Sequence, residues 1–186
     1  MNKIEVFDDF LPEEMYIKCL EELQKPKWTF LSGHHQIWHM GSLDQVPFFN
    51  IEFKKKVLEI LPKDINWTHY DMYANGQSRG QDGSIHQDQK MLNDALSLVY
   101  FSTPEWSPHY EGNLFFYNQD ELTQEYNIID MVEYKSNRAV LFPGHVWHKA
   151  SAPTMIYPGL RTSVVVKLID GDDEDLAKFQ IGLETK

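Results

Sequence analysis

From residue 65 onward the chain is cut into short runs of β-favouring residues. These are INWTHYDMYA (65–74), LSLVYFS (96–102), NLFFYNQ (113–119), IIDMVEYK (128–135), RAVLFPG (138–144) and LRTSVVVKLI (160–169). Pro, Gly, Asn and Asp bound them, and these residues end strands by fixing or freeing the backbone where a turn is needed. Nothing between the runs carries the helical period that a parallel crossover requires, so neighbouring strands must pair antiparallel. Six or more such strands at close spacing bury their apolar faces by packing sheet on sheet, as a sandwich or jelly roll.

The first 62 residues read differently. In LPEEMYIKCLEELQK (11–25), Pro12 suits a first helical position, Glu13 and Glu14 favour the positive end of the helix dipole, and Met15, Cys19 and Leu23 recur at i, i+4 and i+8. In VPFFNIEFKKKVLEIL (46–61), Phe49, Phe53 and Val57 repeat the pattern, closed by Ile60 and Leu61. Both stripes are core faces. Helices are thus expected to lead and strands to follow. No repeat and no low-complexity linker interrupts the 186 residues, so a single domain is expected: a helical part about 1–62, a β core about 64–170, and an acidic tail. The final DGDDEDLAKFQIGLETK (170–186) reads as an acidic turn running into a short helix.

Composition removes several function classes. A hydrophobic share of 42% with 13% aromatic residues gives enough apolar surface for a packed core. A formal net charge of -11 repels phosphate backbones and anionic lipid, which argues against nucleic acid and membrane surfaces as partners. The single cysteine, Cys19, rules out an internal disulfide framework or a Cys-based zinc finger and suits a reducing, cytoplasmic setting. The opening MNKIEVFDDFLPEEM has no apolar signal core, and no run approaches the roughly 18 apolar residues of a membrane helix.

The polar stretch GSIHQDQK (83–90) holds a His-x-Asp pair, His86 and Asp88. On extended backbone, residues two apart point to one side, so imidazole and carboxylate are aligned before folding is complete. A mononuclear iron(II) oxygenase site needs one more histidine, giving two histidines and a carboxylate on one face of the metal. His109, His145 and His148 are the candidates, the last two in RAVLFPGHVWHKASAP (138–153), where an apolar strand stops at Pro143-Gly144 and histidines follow.

The order HQD, then LFPGHVWH, then LRTS resembles the iron(II)- and 2-oxoglutarate-dependent dioxygenases, and within them the prolyl-4-hydroxylase-like branch. VFDDFLPEEM before an amphipathic helix, MYANG before the His-x-Asp, and LVYFSTPEW followed by EGNLFFY extend the similarity over most of the chain. The resemblance implies a mainly β fold with flanking helices: a double-stranded β-helix (jelly roll) with the N-terminal helices packed on one sheet. It implies His86, Asp88 and His148 as the catalytic metal ligands, with His148 preferred over His145. Arg161 corresponds to the basic residue that pairs with the distal carboxylate of 2-oxoglutarate, for which a planar guanidinium fork is suited. Ser163, on the same side of the strand, and Tyr100 correspond to further contacts to that carboxylate, and Tyr73 to a tyrosine nearer the metal end. Iron(II), 2-oxoglutarate and dioxygen are the cofactors and cosubstrates implied, with ascorbate as an optional addition.

The activity implied is hydroxylation of a peptidyl, prolyl-type, or amino-acid side chain, with release of succinate and carbon dioxide; the partner is a peptide or small molecule. A noncatalytic metal-binding jelly roll and a nucleobase-modifying oxygenase are the other readings. An intact Arg161 argues against the first and the net charge against the second. Glu111 and Asn113 flank Gly112 where many relatives have paired glycines, and collagen-type enzymes commonly have lysine at the Arg161 position, which weakens a prolyl assignment. Phe142 and Trp147 are expected to form a dry shell round the site, and the loop 75–84, with Arg79, a substrate lid.

Overall fold

The computed structural model of the chain describes residues 3–32, 36–89 and 95–171, so most of the acidic tail lies outside the described residues. Two antiparallel sheets make up the body. The larger has seven strands in the order β1 (Glu5–Phe7), β8 (Arg138–Pro143), β5 (Leu96–Phe101), β10 (Arg161–Asp170), β4 (Trp67–Gln77), β3 (Ile37–Met40) and β2 (Thr29–Leu31). The smaller orders β7 (Tyr126–Val132), β6 (Leu114–Gln119) and β9 (Trp147–Ala150). β1–β5 lie in the large sheet, β6 and β7 in the small one, and β8, β9 and β10 then alternate between the two; the pair of packed antiparallel sheets is the jelly-roll architecture expected from the strand runs.

The six strand runs all appear, but helices do not simply precede strands. β1, β2 and β3 lie within the first 62 residues, and each is only three or four residues long. A strand that short shows no readable period 2, so nothing in the sequence pattern marks it. α1 (Glu13–Leu23) starts just after Pro12, which occupies the N-cap. The second helical segment begins as a π-helix over Phe48–Phe53 and tightens into α2 (Lys54–Ile60). The wider opening turns bury the adjacent Phe48 and Phe49 together, while Phe53 and Val57 continue the expected stripe.

These helices cover one face of the large sheet. Cys19, Leu23, Phe49, Phe53 and Val57 pack with Leu98, Tyr100, Val164, Val166 and Leu168 in one apolar cluster. A second cluster fills the space between the sheets, with Val99, Phe101, Phe116, Phe142 and Val165 at its heart. β5 is buried at every position because both its faces are covered, which explains its unbroken apolar run. Alternation along β10 sends Val164, Val166 and Leu168 to the helices and leaves Arg161, Ser163, Val165 and Lys167 facing the small sheet.

Candidate metal centre and its cavity

β8 ends in a tight turn in which Val146 N–H donates to the Pro143 carbonyl at 3.0 Å, and the chain returns as β9 carrying His148. His148 sits beside the rings of Phe142 and Phe116 at 4.7 and 6.5 Å. Across from it, His86 forms a single bridge: the two backbones exchange both hydrogen bonds, at 3.0 and 2.9 Å. A mutually bonded antiparallel pair projects its side chains to the same side, and the two imidazole rings lie 4.3 Å apart. Asp88, two residues on, points the same way, and its carboxylate Oδ1 and Oδ2 lie 3.6 Å from His86 Nε2 and His148 Nε2.

Each histidine turns Nδ1 to the carbonyl two residues before it, Ser84 O for His86 and Val146 O for His148, both at 2.9 Å. A carbonyl only accepts, so Nδ1 carries the proton in the neutral ring and Nε2 offers its lone pair toward Asp88. Ser97 Oγ donates to Asp88 Oδ2 at 2.7 Å, and Lys167 Nζ lies 3.1 Å from Oδ1. Burial alone would raise the Asp88 pKa, but His86, His148, Lys167 and Ser97 together hold it far below the carboxylate range. Burial lowers the His148 pKa to about 4, against the pull of Asp88. Burial also opposes charge on His86, yet Asp88 and the Ser84 carbonyl outweigh it and raise that pKa. The three donor atoms all lie within 4.8 Å of one another, electron-rich and converging. Two imidazoles and one carboxylate in that arrangement fit a divalent iron ion and leave one face open. His145 and His109 stay outside this group.

The open side is a cavity of about 380 Å³. Tyr73, Asn75 and Gln77 line it from β4, Ser163 and Lys167 from β10, and Leu31, Ile37 and His39 from the β2–β3 hairpin. Tyr73 keeps its phenol proton, because burial and the Asp88 charge push its pKa well up. Arg161 lies next to this wall, with no exposed surface. Its Nε donates to Gly112 O at 2.8 Å and its Nη1 to Gln77 Oε1 at 2.9 Å, while Nη2 has no hydrogen-bond partner. The guanidinium lies over the Tyr134 and Phe101 rings, 4.7 and 5.5 Å from their centroids. Burial lowers its pKa to about 10, which leaves it charged at neutral pH. No carboxylate among the described residues pairs with it, so a fully buried cation is held by neutral groups with one N–H site to spare. Such a cation is expensive unless an anion joins it.

Gly112 is required here, because a Cβ on it would stand 3.0 Å from Arg161 Cδ and Nε, and its φ is +73°. Glu111 also takes a positive φ of 55°.

The structure departs from the sequence reading at three points. Tyr100 faces the helices: its hydroxyl donates to Asn137 Oδ1 at 3.0 Å and its ring meets Phe53 and Phe10. Adjacent Phe101 is the β5 residue facing Arg161, so Tyr100 is one step out of phase for any contact to a cosubstrate there. Trp147 turns away from the site toward Tyr126, 5.1 Å between centroids, and Phe116 takes its place beside Phe142 as the dry wall at His148. The loop expected to be a lid is tied down: residues 75–77 belong to β4, Gly83 N–H donates to Ala150 O at 3.1 Å, and Asp82 pairs with Lys149 at 2.8 Å. Arg79 is exposed and does not line the cavity. Gln77, Tyr134 and Lys167 escaped the sequence reading. Only Lys167 left a readable sign, a lone charge in VVVKLI with the same parity as Arg161 and Ser163.

No protein-family model matches the sequence, and no curated protein matches it. Solved structures do. The α-ketoglutarate-dependent carbocyclase SnoK from nogalamycin biosynthesis superposes with a TM-score of 0.70 at 13% identity, over 92% of this chain and 81% of its own. A Pseudomonas putida prolyl-4-hydroxylase gives 0.65 at 13% identity, over 92% and 94%. HygX from Streptomyces hygroscopicus, with nickel, 2-oxoglutarate and hygromycin B bound, gives 0.67 at 10% identity, over 91% and 83%. The chain therefore has the fold of the iron(II)- and 2-oxoglutarate-dependent oxygenases. No helix among the described residues is long and apolar enough to cross a membrane.

Proposed function

We propose that this protein is an iron(II)- and 2-oxoglutarate-dependent oxygenase that hydroxylates a peptidyl or amino-acid side chain or a small organic molecule, releasing succinate and carbon dioxide. The observation that carries this reading is the pairing of two features around one cavity, the second joined to its wall through Gln77. The His86, Asp88 and His148 donor atoms converge within 4.8 Å, and Arg161 is buried nearby with an unpartnered N–H group. A metal site alone has no need of a buried guanidinium, whereas a dicarboxylate cosubstrate needs one at its far end.

In this reading His86, Asp88 and His148 hold the ion, and iron with 2-oxoglutarate supplies, when bound, the oxidising power for attack on an unactivated C–H bond. The protein's own residues do the rest. Ser97 fixes Asp88 Oδ2, and the Nδ1–H bonds to Ser84 and Val146 fix both ring tautomers. Arg161 neutralises the distal carboxylate beside Ser163, and Phe142 and Phe116 keep water from the His148 side. The substrate enters past Leu31 and Ile37, and its class rests on fold likeness to a prolyl-4-hydroxylase, a carbocyclase and a protein that binds hygromycin B. A buried free thiol at Cys19 suits a reducing, cytoplasmic setting.

Anaerobic titration of the iron(II)-loaded protein with 2-oxoglutarate, followed by its metal-to-ligand charge-transfer absorption, tests the reading. Wild type should develop the band, and His86→Ala, Asp88→Ala and His148→Ala should lose metal binding, while His145→Ala keeps it. Metal binding with no band would reduce the protein to a metal-binding jelly roll.

A further inference from the structure

The proposed metal carboxylate is already engaged by a cation of the protein itself. Asp88 is buried, its side chain 3% exposed, and a lone carboxylate there would be costly. Lys167 Nζ lies 3.1 Å from Asp88 Oδ1, the same oxygen that faces His86 Nε2 at 3.6 Å. The ammonium is itself largely buried, 17% exposed, with its charge over the Tyr73 ring at 5.4 Å. A divalent ion between the three ligands competes with Lys167 for one carboxylate and repels it. The lysine has a second acid within its own ladder: Lys167 stands opposite Asp71 in the β10–β4 pairing, at the point where the register shifts between Lys167 and Leu168. Asp71 lines the same cavity and is partly open to solvent, and the burial of its carboxylate raises its pKa while Lys167 pulls it down, so a cation beside it is favourable.

We propose that Lys167 is a built-in stand-in cation, which neutralises Asp88 in the metal-free protein and is handed to Asp71 when the metal takes the carboxylate. This inference rests on the metal reading of His86, Asp88 and His148. The lysine keeps the empty site folded and assembled, and in return holds the metal less tightly than two histidines and one unopposed carboxylate would. The two removals act with opposite sign: removing Lys167 frees Asp88 for the metal, whereas removing Asp71 deprives the displaced lysine of its landing place.

The experiment is calorimetric titration of manganese(II) into wild type, Lys167→Met and Asp71→Asn, with thermal unfolding of each protein in the presence and absence of the ion. Lys167→Met should bind manganese(II) more tightly, by roughly tenfold or more for one like charge removed at this range. It should also be less stable than wild type without metal and recover most of the difference with it. Asp71→Asn should bind it less tightly, by about two- to threefold, as befits a partner partly open to solvent. A merely structural lysine would lower the melting temperature equally with and without the ion. Should Lys167→Met fail to fold without metal, Lys167→Gln and the Asp71→Asn measurement carry the same test. Binding to Lys167→Met that is no tighter than wild type, or to Asp71→Asn that is no weaker, overturns the handover while the metal reading stands. Binding to none of the three proteins overturns the metal reading and this inference with it.

Discussion

The large sheet is buried on both faces, yet the two faces are built from different chemistry. Toward the helices, Leu98, Tyr100, Val164, Val166 and Leu168 meet Phe49, Phe53 and Val57, and the Tyr100 hydroxyl is satisfied by Asn137. Toward the small sheet, the same two strands present Ser97, Arg161, Ser163 and Lys167 among Val99, Phe101 and Val165. One face removes apolar surface from water and fills it tightly; the other holds charges that dry surroundings make strong and expensive. The difference suggests that the helix face supplies the stability the site face spends on its unpaired guanidinium and converging lone pairs. Side-chain alternation lets one pair of strands do both, since adjacent residues serve opposite faces.

The sharpest way to break this contrast is to open a hole on the helix face. Phe53 is fully buried against Phe10, Phe49 and Tyr100, so Phe53→Ala should cost about 3–5 kcal/mol of unfolding free energy in a denaturant titration. Metal affinity of the protein that remains folded should not change; a parallel loss of affinity would mean the faces are not independent.

Next in size is the charge on the other face. Arg161→Ala removes the cation that awaits the distal carboxylate, at a cost of roughly 2–5 kcal/mol, which is at least about thirtyfold in 2-oxoglutarate affinity. Metal affinity should move far less. Arg161→Lys keeps the charge without the fork and should fall between the two. Equal cosubstrate binding by Arg161→Ala and wild type would remove the anchor from the site face.

A third test uses acid. The unfolded chain protonates His148 near its ordinary 6.5, whereas the folded protein delays protonation to about 4 because the ring is buried. Below 6.5 the unfolded state therefore binds a proton that the folded state refuses, and stability of the metal-free protein falls as pH drops from 6.5 to about 4, by roughly 3 kcal/mol at most. His86 works in the opposite sense: its raised pKa adds stability in acid that is lost as pH rises through the folded value. Comparing pH-dependent unfolding of wild type and His148→Gln separates the two. Retention of the full acid slope in His148→Gln would place the sensitive group elsewhere.

The smallest effect is the most discriminating for phase along β5. Tyr100→Phe should lose one hydrogen bond, to Asn137, worth about 0.5–1.5 kcal/mol of stability, and should leave 2-oxoglutarate affinity untouched. A weakened cosubstrate would put Tyr100 back on the site face.

Local pattern carried much of this molecule. The six β runs, the two apolar helical stripes and the His-x-Asp pair are written in periods of two or nearly four residues, so the strands, the helices and the shared direction of His86 and Asp88 were legible before any contact was known. Parity along LRTSVVVKLI likewise put Arg161 and Ser163 on one side. What the tertiary structure decided were matters of pairing between distant residues. His148 was preferred to His145 only by its distance past the apolar strand, whereas the pairing of β9 with β6 and the bridge to His86 bring His148 beside the His-x-Asp. The side of β5 that meets the site was misjudged because every residue in LSLVYF is apolar or small enough for either face, and only packing on the helices selects Tyr100 for one and Phe101 for the other. Gln77 and Tyr134 come to Arg161, and Lys167 to Asp88, across 27 to 84 positions of chain. Such contacts leave no local period in the sequence, because the free energy that places them belongs to the packed sheets and to no single segment.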